Sequence, residues 1–373
     1  MNRNRKWFMS LIMLFTILVV VTGCSGTGTT TTTTPAATVT STSTVTSGIN
    51  INGVGATFPA PLYTKWFDVY YKDTGIKINY QAIGSGGGIN QITEGTVDFG
   101  ASDGIMTETQ QSKAEEANGP ILHIPMTSGA VAVIYNISGI SSGQLNLSGD
   151  VLADIYLKKI TKWNDYRISD INPDITLPDA DIAVVHRSDG SGTTYIFTNY
   201  LSKVSTDWAS EVGNATSVDW PGDIGGEKNA GVAGQVQQLP NSIGYVELAY
   251  ALQNNIAFAN LENAAGNFIT PSIESTTKAA EGITLPDDMK VMLTNSSNPE
   301  AYPIVGFTWI LVYENQKDKE KGEAIVNMLW WAIHEGQQYT TALSYAPLAD
   351  DAVTRAENQI LSIKYQGETL LKR

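Results

Sequence analysis

The sequence predicts an α/β fold, and three observations support this prediction. Short apolar runs typical of strands alternate with stretches whose apolar residues recur at helical spacing. Three glycine-bearing loops each follow a predicted strand and lead into a predicted helix. The alternation continues along the chain, which is typical of the α/β class. At 373 residues, the chain is long enough for two domains with separate cores.

The composition narrows the classes of function. Hydrophobic residues make up 42% of the chain and charged residues 16%, as in a globular protein. The formal charge is −14, and it becomes −17 without residues 1–23, which carry Arg3, Arg5 and Lys6 and no acidic residue. Such an acidic protein should not bind nucleic acid or an anionic membrane through its overall field. Three histidines and one cysteine argue against a zinc site and exclude an internal disulfide.

The N-terminus has the pattern of a secretion signal. Residues 1–23 combine a basic start with an apolar run from Leu11 to Val21. The ending Val21-Thr22-Gly23-Cys24 resembles the bacterial lipobox, which implies a lipidated Cys24 at the mature N-terminus and attachment to the outer face of a membrane. The alternative is an ordinary signal anchor with an incidental cysteine. Residues 25–47, almost entirely Thr, Ser, Gly, Ala and Val, predict a flexible tether.

The first predicted strand–turn–helix unit spans Ile49 to Gly75. Pro61 suits the first turn of its helix, and Gly75 suits the cap at its end. Thr57 and Phe58 lie on the turn, where their N–H groups and the Thr57 hydroxyl could face a ligand. Most units of this kind bind nothing, so the turn alone is a weak signal.

Two further segments offer polar groups after predicted strands. A strand over Ile76–Tyr80 precedes the glycine-rich run Gly84–Gly88, which contains Ser85, and a helix is expected from near Ile89. The run matches neither a Walker loop nor the dinucleotide fingerprint, and a flexible loop is the alternative. The strand Val97–Ser102 ends at Asp103, where α/β sheets place ligand groups, although a surface cap would explain the same residue.

The middle and end of the chain add further elements. The apolar stretch Ile121–Ile134, interrupted by Pro125 and Gly129, is interpreted as the crossing into a second domain. Residues 254–300 give no clear pattern. The other predicted elements are a helix Asp150–Tyr156, a strand Ile182–Val185, a polar glycine stretch Gly225–Gly231, a helix Val232–Leu239, a strand Ser242–Val246, a strand Tyr302–Tyr313 and a helix Glu323–Leu343.

The segment Arg187–Thr194 has the pattern of an anion site. A Gly-Ser-Gly-Thr turn precedes an apolar run that predicts a helix, so free N–H groups and hydroxyls meet at a helix N-terminus. Arg187 supplies a planar, permanently charged group suited to an oxyanion, and Asp189 is close enough to orient it. Together with the two upstream loops, this segment predicts a dry pocket for a small tetrahedral oxyanion.

Several of these segments, in this order, resemble the phosphate-binding proteins of the high-affinity phosphate ABC transporter. The resemblance covers roughly residue 50 to the C-terminus. The runs that carry it are Gly53–Pro61, Ile83–Gly88, Val97–Asp103 and Arg187–Thr193, with support from Ile160–Asp165, Gly231–Tyr245 and Tyr302–Trp309.

The resemblance implies a fold, a ligand and partners. The fold would be a two-lobed, periplasmic-binding-protein-like clamshell (type II), each lobe a mixed sheet flanked by helices, with residues 49–125 plus 300–373 in lobe I and 126–299 in lobe II. The protein would be a monomer that binds inorganic phosphate without cofactor or metal, contacts the permease subunits and attaches to the membrane through its N-terminal lipid. Asp189 would support Arg187, and Gly86 stands where the family commonly has a second serine. The phosphate contacts would be Thr57, Phe58, Ser85, Asp103, Arg187, Ser191, Gly192 and Thr193.

These residue types fit phosphate chemically. Helix N-termini and Arg187 would donate to its oxygens, while Asp103 would accept a hydrogen bond from the O–H group that phosphate carries and sulfate lacks. A receptor for sulfate or molybdate is one alternative, which Asp103 disfavours. A secreted phosphatase with Ser85 or Ser191 as nucleophile is another. It would need an activating base or metal, and strand alternation should turn His186 away from the pocket.

Overall fold

The computed structural model describes residues 48–371 except positions 223 and 282. The predicted secretion signal, Cys24 and the Thr-rich tether lie outside these residues. Among the residues described, no helix is both long and apolar enough to cross a membrane.

Strands and helices alternate along the chain, as the sequence predicts. The strands are β1 Asn50–Gly55, β2 Lys77–Ala82, β3 Phe99–Ser102, β4 Ile121–Asn136, β5 Asn146–Leu147, β6 Ala183–Arg187, β7 Ile224–Gly226, β8 Ser242–Glu247, β9 Ala257–Phe258, β10 Asn260–Glu262, β11 Phe268–Ile269, β12 Val305–Tyr313, β13 Lys364–Tyr365 and β14 Glu368–Thr369. The helices are α1 Ala60–Thr74, α2 Ser85–Thr93, α3 Glu108–Asn118, α4 Gly149–Tyr156, α5 Tyr166–Ser169, α6 Gly192–Val204, α7 Thr206–Glu211, α8 Lys228–Gln238, α9 Leu248–Gln253, α10 Ile273–Ala280, α11 Lys319–Ile333 and α12 Asp350–Ser362. Two short 3₁₀ segments, Glu335–Tyr339 and Thr341–Leu343, follow α11.

The main sheet has the strand order β2-β1-β3-β12-β4-β8-β6-β7, with β9 added beside β4. We call the part built from β2, β1, β3 and β12 the first half, and the part built from β8, β6 and β7 the second half. β4 joins them, because residues 121–130 pair antiparallel with β12 and residues 131–136 pair antiparallel with β8. The mixed α/β architecture expected from the sequence is therefore confirmed.

The 16-residue strand β4 corrects one expectation. Pro125 and Gly129 do not interrupt it, although the sequence suggested that they would. The register with β12 shifts between Thr308, opposite Thr127, and Trp309, opposite Pro125. This irregularity accommodates the proline, which has no N–H to give to the ladder. Gly129 lies within the paired region, where the Phe58 ring occupies the space that a Cβ would need.

Within each half of the sheet, the C-terminal ends of the parallel strands lie at the same edge. β1 pairs in parallel with both β2 and β3, with Gly55 opposite Ala82 and Ala101. The loops that follow these three strands therefore lie side by side. In the second half β6 is parallel to β7 and β8, and Arg187 lies opposite Gly226. The Arg187 loop and the start of α8 consequently lie at the same edge.

Three helices differ from the predicted bounds by more than two residues. α2 begins at Ser85 rather than near Ile89, so the glycine run forms its first turn. Glycines are poor helix formers, but a Cβ at Gly88 would lie 2.5 Å from Ala101 O, so glycine lets α2 approach the sheet. α8 begins at Lys228 rather than Val232, and α11 ends at Ile333 rather than Leu343.

Buried aromatic side chains support the edge where the loops meet. In the second half, the rings of Phe197 and Tyr245 stack at a centroid distance of 4.2 Å, and Tyr156 packs 4.8 Å from Phe197. The Tyr245 hydroxyl accepts a hydrogen bond from Arg187 N at 3.2 Å and pairs with Thr194 Oγ1 at 2.6 Å. The core therefore fixes the end of β6 and the first turn of α6.

Candidate functional site

The turn after β1 is held by three tyrosine hydroxyls that donate to three successive carbonyl groups. A trans peptide points its C=O and the following N–H in opposite directions. The N–H groups of Thr57 and Phe58 are therefore turned away from the tyrosines that bind the preceding carbonyls. The three pairs are Tyr80 with Ala56 O at 2.7 Å, Tyr250 with Thr57 O at 2.6 Å and Tyr345 with Phe58 O at 2.7 Å.

Ser85 and Asp103 meet where the loops after β2 and β3 lie side by side. Ser85 Oγ accepts from Asp103 N at 3.2 Å and lies 3.4 Å from Asp103 Oδ2. Thr308 of β12 donates to the other carboxylate oxygen, Oδ1, at 2.7 Å. Asp103 is only 1% exposed, so the notion that it is a surface cap is wrong.

Burial raises the pKa of Asp103 to about 7, from an ordinary value of 3.8. The hydrogen bond from Thr308, the positive charge of Arg187 and the Ser85 hydroxyl oppose this rise without cancelling it. The carboxyl can therefore hold or release a proton near neutral pH. A group of this kind can accept a hydrogen bond from a protonated anion, at the cost of burying its own charge.

The buried Arg187 and the half-buried Asp189 form a two-point ion pair. Arg187 Nε donates to Asp189 Oδ1 at 2.7 Å and Nη2 donates to Oδ2 at 2.5 Å. Asp189 Oδ1 also accepts from Lys228 N at 2.9 Å, at the start of α8. Burial alone would raise the pKa of Asp189, but the hydrogen bonds and charge of Arg187 and the Lys228 N–H outweigh it and lower that pKa. Asp189 thus orients the guanidinium, as the sequence predicts.

The first turn of α6 supplies further donors. Ser191 caps this helix, because its Oγ accepts from Thr194 N at 3.1 Å. Gly192 and Thr193 follow at the N-terminus, where N–H groups have no partner within the helix. Thr193 Oγ1 lies 3.5 Å from Arg187 Nη1. Hydroxyls, N–H groups and a guanidinium therefore gather at one helix start, which favours an anion.

The structure brings the predicted contact residues of the two halves together. Gly86 N donates to Gly190 O at 2.9 Å across the halves. A Cβ at Gly192 would lie 2.5 Å from both Ser85 Oγ and Asp103 Oδ2. All eight predicted contacts are buried: Thr57, Phe58, Ser85, Asp103, Arg187, Ser191, Gly192 and Thr193. Whether these residues bind a ligand stays a prediction.

His186 lies apart from this cluster. Its ring stacks on Trp220 at a centroid distance of 4.9 Å, and its nitrogens lie 3.0 Å from Arg187 O and Gly222 O. The side chain therefore packs among the aromatic residues of the second half, as strand alternation predicts.

The sequence-based reasoning missed two polar residues that contact the site. Asn229, in the first turn of α8, donates from Nδ2 to Thr57 Oγ1 at 2.9 Å and to Thr193 Oγ1 at 3.2 Å. It belongs to Gly225–Gly231, which the sequence indicates only as a polar glycine stretch ahead of a helix. Thr308 is a polar residue within the wholly buried strand β12. A hydroxyl in an otherwise apolar run was the available signal.

Glu247 was also missed, and it lies directly behind the site. Its Oε2 accepts from Ala249 N at 2.9 Å and lies 3.1 Å from Tyr345 OH. Burial raises the pKa of Glu247 well above its ordinary value, and the hydrogen bonds from Ala249 and Tyr345 only partly oppose this. Burial therefore favours the neutral carboxylic acid form of this side chain over the charged carboxylate.

The cluster can surround a small anion with many donors and one carboxyl acceptor. Within the described ranges, no group of three or more His, Cys, Asp or Glu residues could hold a metal ion. The donor set of hydroxyls, N–H groups and one guanidinium is itself suited to an oxyanion rather than to a metal.

Sequence comparison places this chain among known proteins. Residues 28–327 match the model of the PBP superfamily domain. The phosphate-binding protein PstS of Xylella fastidiosa (strain Temecula1) is 45% identical over 311 residues, which cover 83% of this chain and 84% of that protein. The chain belongs to the PstS family of phosphate-binding proteins. PstS of Pasteurella multocida is 46% identical over 83% of this chain and 89% of its own length. PstS of Methanocaldococcus jannaschii is 40% identical over 85% of this chain and 87% of its own length.

Solved structures show the same fold at lower identity. A high-affinity periplasmic phosphate-binding protein, PfluDING, solved with phosphate at pH 8.5, has a TM-score of 0.66 and 21% identity over 83% of this chain and 93% of its own. A phosphate ABC transporter substrate-binding protein from Clostridium perfringens has a TM-score of 0.58 and 16% identity over 80% of this chain and 100% of its own. The predicted two-lobed periplasmic-binding-protein fold is thus confirmed. The PstS family consists of binding proteins, so the chain is a receptor and not an enzyme.

Proposed function

We propose that this protein captures inorganic phosphate between the two halves of the sheet and delivers it to an ABC importer. The observation that carries the proposal is that one buried arginine and one buried carboxyl group lie where the loops of the two halves meet. Arg187, held by Asp189, supplies positive charge from the second half, and Asp103 supplies an acceptor from the first. Phosphate is a tetrahedral anion that needs many donors and, when protonated, one acceptor.

The ligand set of the proposal is the predicted one. The guanidinium and the hydroxyls of Thr57, Ser191 and Thr193 donate to oxyanion atoms. The N–H groups of Phe58, Ser85 and Gly192 do so as well. Charge-assisted hydrogen bonds of this kind contribute about 1.5–3 kcal/mol each. Several of them reach micromolar affinity, which needs about 8 kcal/mol net, after the costs of ordering and closure are met.

Asp103 sets the choice between phosphate and sulfate in this proposal. Its carboxylate accepts the O–H of a protonated phosphate. Sulfate has no proton at neutral pH, so it would bring an unpaired oxygen against a buried acceptor, which costs about 1–3 kcal/mol or more. The receptor for sulfate or molybdate is therefore disfavoured.

The phosphatase alternative gains no support from the serines. Ser191 Oγ caps α6 by accepting from Thr194 N, and Ser85 Oγ lies against Asp103. A nucleophilic serine needs an adjacent base that removes its proton. His186, the histidine nearest to Ser191 in the sequence, has both ring nitrogens within hydrogen-bond distance of backbone carbonyls.

Equilibrium dialysis with radiolabelled phosphate tests the proposal directly. The wild-type protein should take up one phosphate, and excess sulfate or molybdate should not displace it. Asp103→Ala and Arg187→Ala should each abolish or strongly weaken uptake. Arg355→Ala is the matched control, because Arg355 pairs with Asp351 on the surface of α12. Unchanged uptake by both site variants would contradict the site proposed here.

The proposal extends to cellular location and organisation. The protein acts outside the cytoplasm as a monomer, held to the membrane by a lipid on Cys24, and contacts the permease subunits. Lobe I comprises residues 49–125 plus 300–373 and lobe II comprises 126–299, with β4 linking them. Incorporation of labelled palmitate in the wild type, and its loss in Cys24→Ser, tests the anchor.

A further inference from the structure

Asn229 is placed where the two halves of the sheet meet. It is fully buried in the first turn of α8. Its Nδ2 lies 2.9 Å from Thr57 Oγ1 in the first half and 3.2 Å from Thr193 Oγ1 in the second. One amide group thus contacts a predicted phosphate donor from each half.

The orientation of the Asn229 amide is determined by chemistry. Its Oδ1 lies 3.0 Å from the backbone N of Glu247. A backbone N–H can only donate, so the atom that faces it must be the amide oxygen. The NH₂ group, with its two hydrogens, must then face the two threonine hydroxyls.

The two hydroxyls consequently act as acceptors towards Asn229. A hydroxyl has one hydrogen and two lone pairs, so an oxygen that accepts from an N–H keeps its hydrogen for another partner. Thr193 Oγ1 also lies 3.5 Å from Arg187 Nη1, a second donor. With donors on these sides, the hydrogens of both hydroxyls are directed to an acceptor elsewhere.

We propose that Asn229 is a positioning residue that makes Thr57 and Thr193 donate their hydroxyl hydrogens to the bound phosphate. The inference rests on the phosphate-binding function proposed above. Asn229 orients both hydroxyls only when the two halves are in contact, because its amide must reach Thr57 and Thr193 at the same time. The same amide group therefore links the direction of the two hydroxyl hydrogens to the contact between the halves.

Calorimetric titration with inorganic phosphate tests the inference. Asn229→Ala should weaken binding by about tenfold or more, the loss expected when two donors are no longer oriented. Asn229→Asp keeps the shape of the side chain but offers an acceptor to both hydroxyls and adds negative charge. It should weaken binding further, by about a hundredfold or more. Asn263→Ala is the matched control, because this buried asparagine donates to Pro299 O and Ala301 O instead; its affinity should equal that of the wild type.

Valine backgrounds distinguish positioning from a merely structural role. If Asn229 acts through the hydroxyls, the loss caused by Asn229→Ala must shrink in Thr57→Val and in Thr193→Val. An equal loss in both valine backgrounds and in the wild type would overturn the inference. So would wild-type affinity in both Asn229→Ala and Asn229→Asp.

The outcome also separates this inference from the proposed function. Failure of the wild-type protein to bind phosphate would refute the function. Binding by the wild type with unaffected Asn229 variants would refute only the role of Asn229. Circular dichroism on each variant establishes that it is folded, and Asn229→Asp, which preserves side-chain volume, gives the test if the alanine variant does not fold.

Discussion

Replacing Asp103 with asparagine should stabilise the ligand-free protein above pH 7, although it alters the proposed phosphate site. Asp103 is buried, and burial raises its pKa to about 7. Asparagine has nearly the same shape and carries no charge. Its Oδ1 can still accept from Thr308, and its Nδ2 can face Ser85 Oγ, which lies 3.4 Å from the present carboxylate. The substitution therefore removes the cost of a buried charge and keeps both contacts.

The sign and magnitude follow from the shift in pKa. A carboxyl whose pKa is higher in the folded state stabilises that state fully below the unfolded value of 3.8, and this contribution is lost as the pH rises through about 7. The difference between the two pKa values corresponds to about 4 kcal/mol in the free energy of unfolding. About 3 kcal/mol of this contribution is lost between pH 5 and pH 8. Asparagine does not titrate, so the free energy of unfolding of the variant relative to the wild type should rise by that amount.

Thermal and urea unfolding in phosphate-free buffer measure this difference. At pH 8 the midpoint of Asp103→Asn should exceed that of the wild type by roughly 5 °C, and the gain should shrink at pH 5. Asp165→Asn is the matched control, because hydrogen bonds from Arg167 lower the pKa of that carboxyl. Its removal should bring no stabilisation at pH 8. A variant whose advantage over the wild type is the same at both pH values would refute the reasoning.

The same substitution should change ligand choice. With asparagine at position 103, the amide can donate to an unprotonated oxygen, so sulfate no longer meets a buried acceptor. The ratio of sulfate to phosphate affinity should rise by about tenfold or more. Calorimetric titration with both anions measures this ratio, and an unchanged ratio would show that Asp103 does not select for the proton.

Three other predictions concern the site and its support. Arg187→Lys replaces the fork that contacts both oxygens of Asp189 with a single ammonium, so phosphate affinity in dialysis should fall by about a hundredfold; an affinity within threefold of the wild type would contradict this. Gly192→Ala would place a Cβ 2.5 Å from oxygen atoms of the first half and should abolish binding by calorimetry, whereas Gly234→Ala, with nothing within 4 Å of its Cβ, should bind normally. Glu247→Gln should gain stability relative to the wild type as the pH rises, because burial raises the pKa of Glu247 and a carboxyl with a raised pKa loses its contribution to the free energy of unfolding when it deprotonates; urea unfolding over a series of pH values measures this, and a variant that loses stability relative to the wild type as the pH rises would refute it.

Local elements could be predicted where chain neighbours decide them. α1 ends at Thr74 and is capped by Gly75, which has a left-handed φ of 73°, and the sequence indicates this directly. The end of α11 depends on distant contacts as well. Trp66 Nε1 donates to Gly336 O at 2.7 Å, and His334 leaves the helical conformation before it. Gly336 is a local stop signal within Glu323–Leu343, and the contact with Trp66 holds it in place in the fold.

The site shows the same division. Arg187 and Asp189 are two residues apart, so their pairing could be predicted from spacing alone. Asn229 contacts Thr57 across 172 positions of the chain, and such a contact depends on how β1, β6 and β7 are arranged in the sheet. An asparagine in a polar glycine stretch looks like a loop residue until the strand order is known.

The sequence by itself determined the α/β class, the three glycine-bearing loops, the Arg187–Asp189 pair and the family, because these depend on residue type and on short spacings. The tertiary structure alone decided the burial of Asp103, its raised pKa and the contact of Asn229 with both halves. Burial and long-range contacts depend on which strands become neighbours. The free energy of packing the entire chain fixes that order, and no single segment of the sequence contains it.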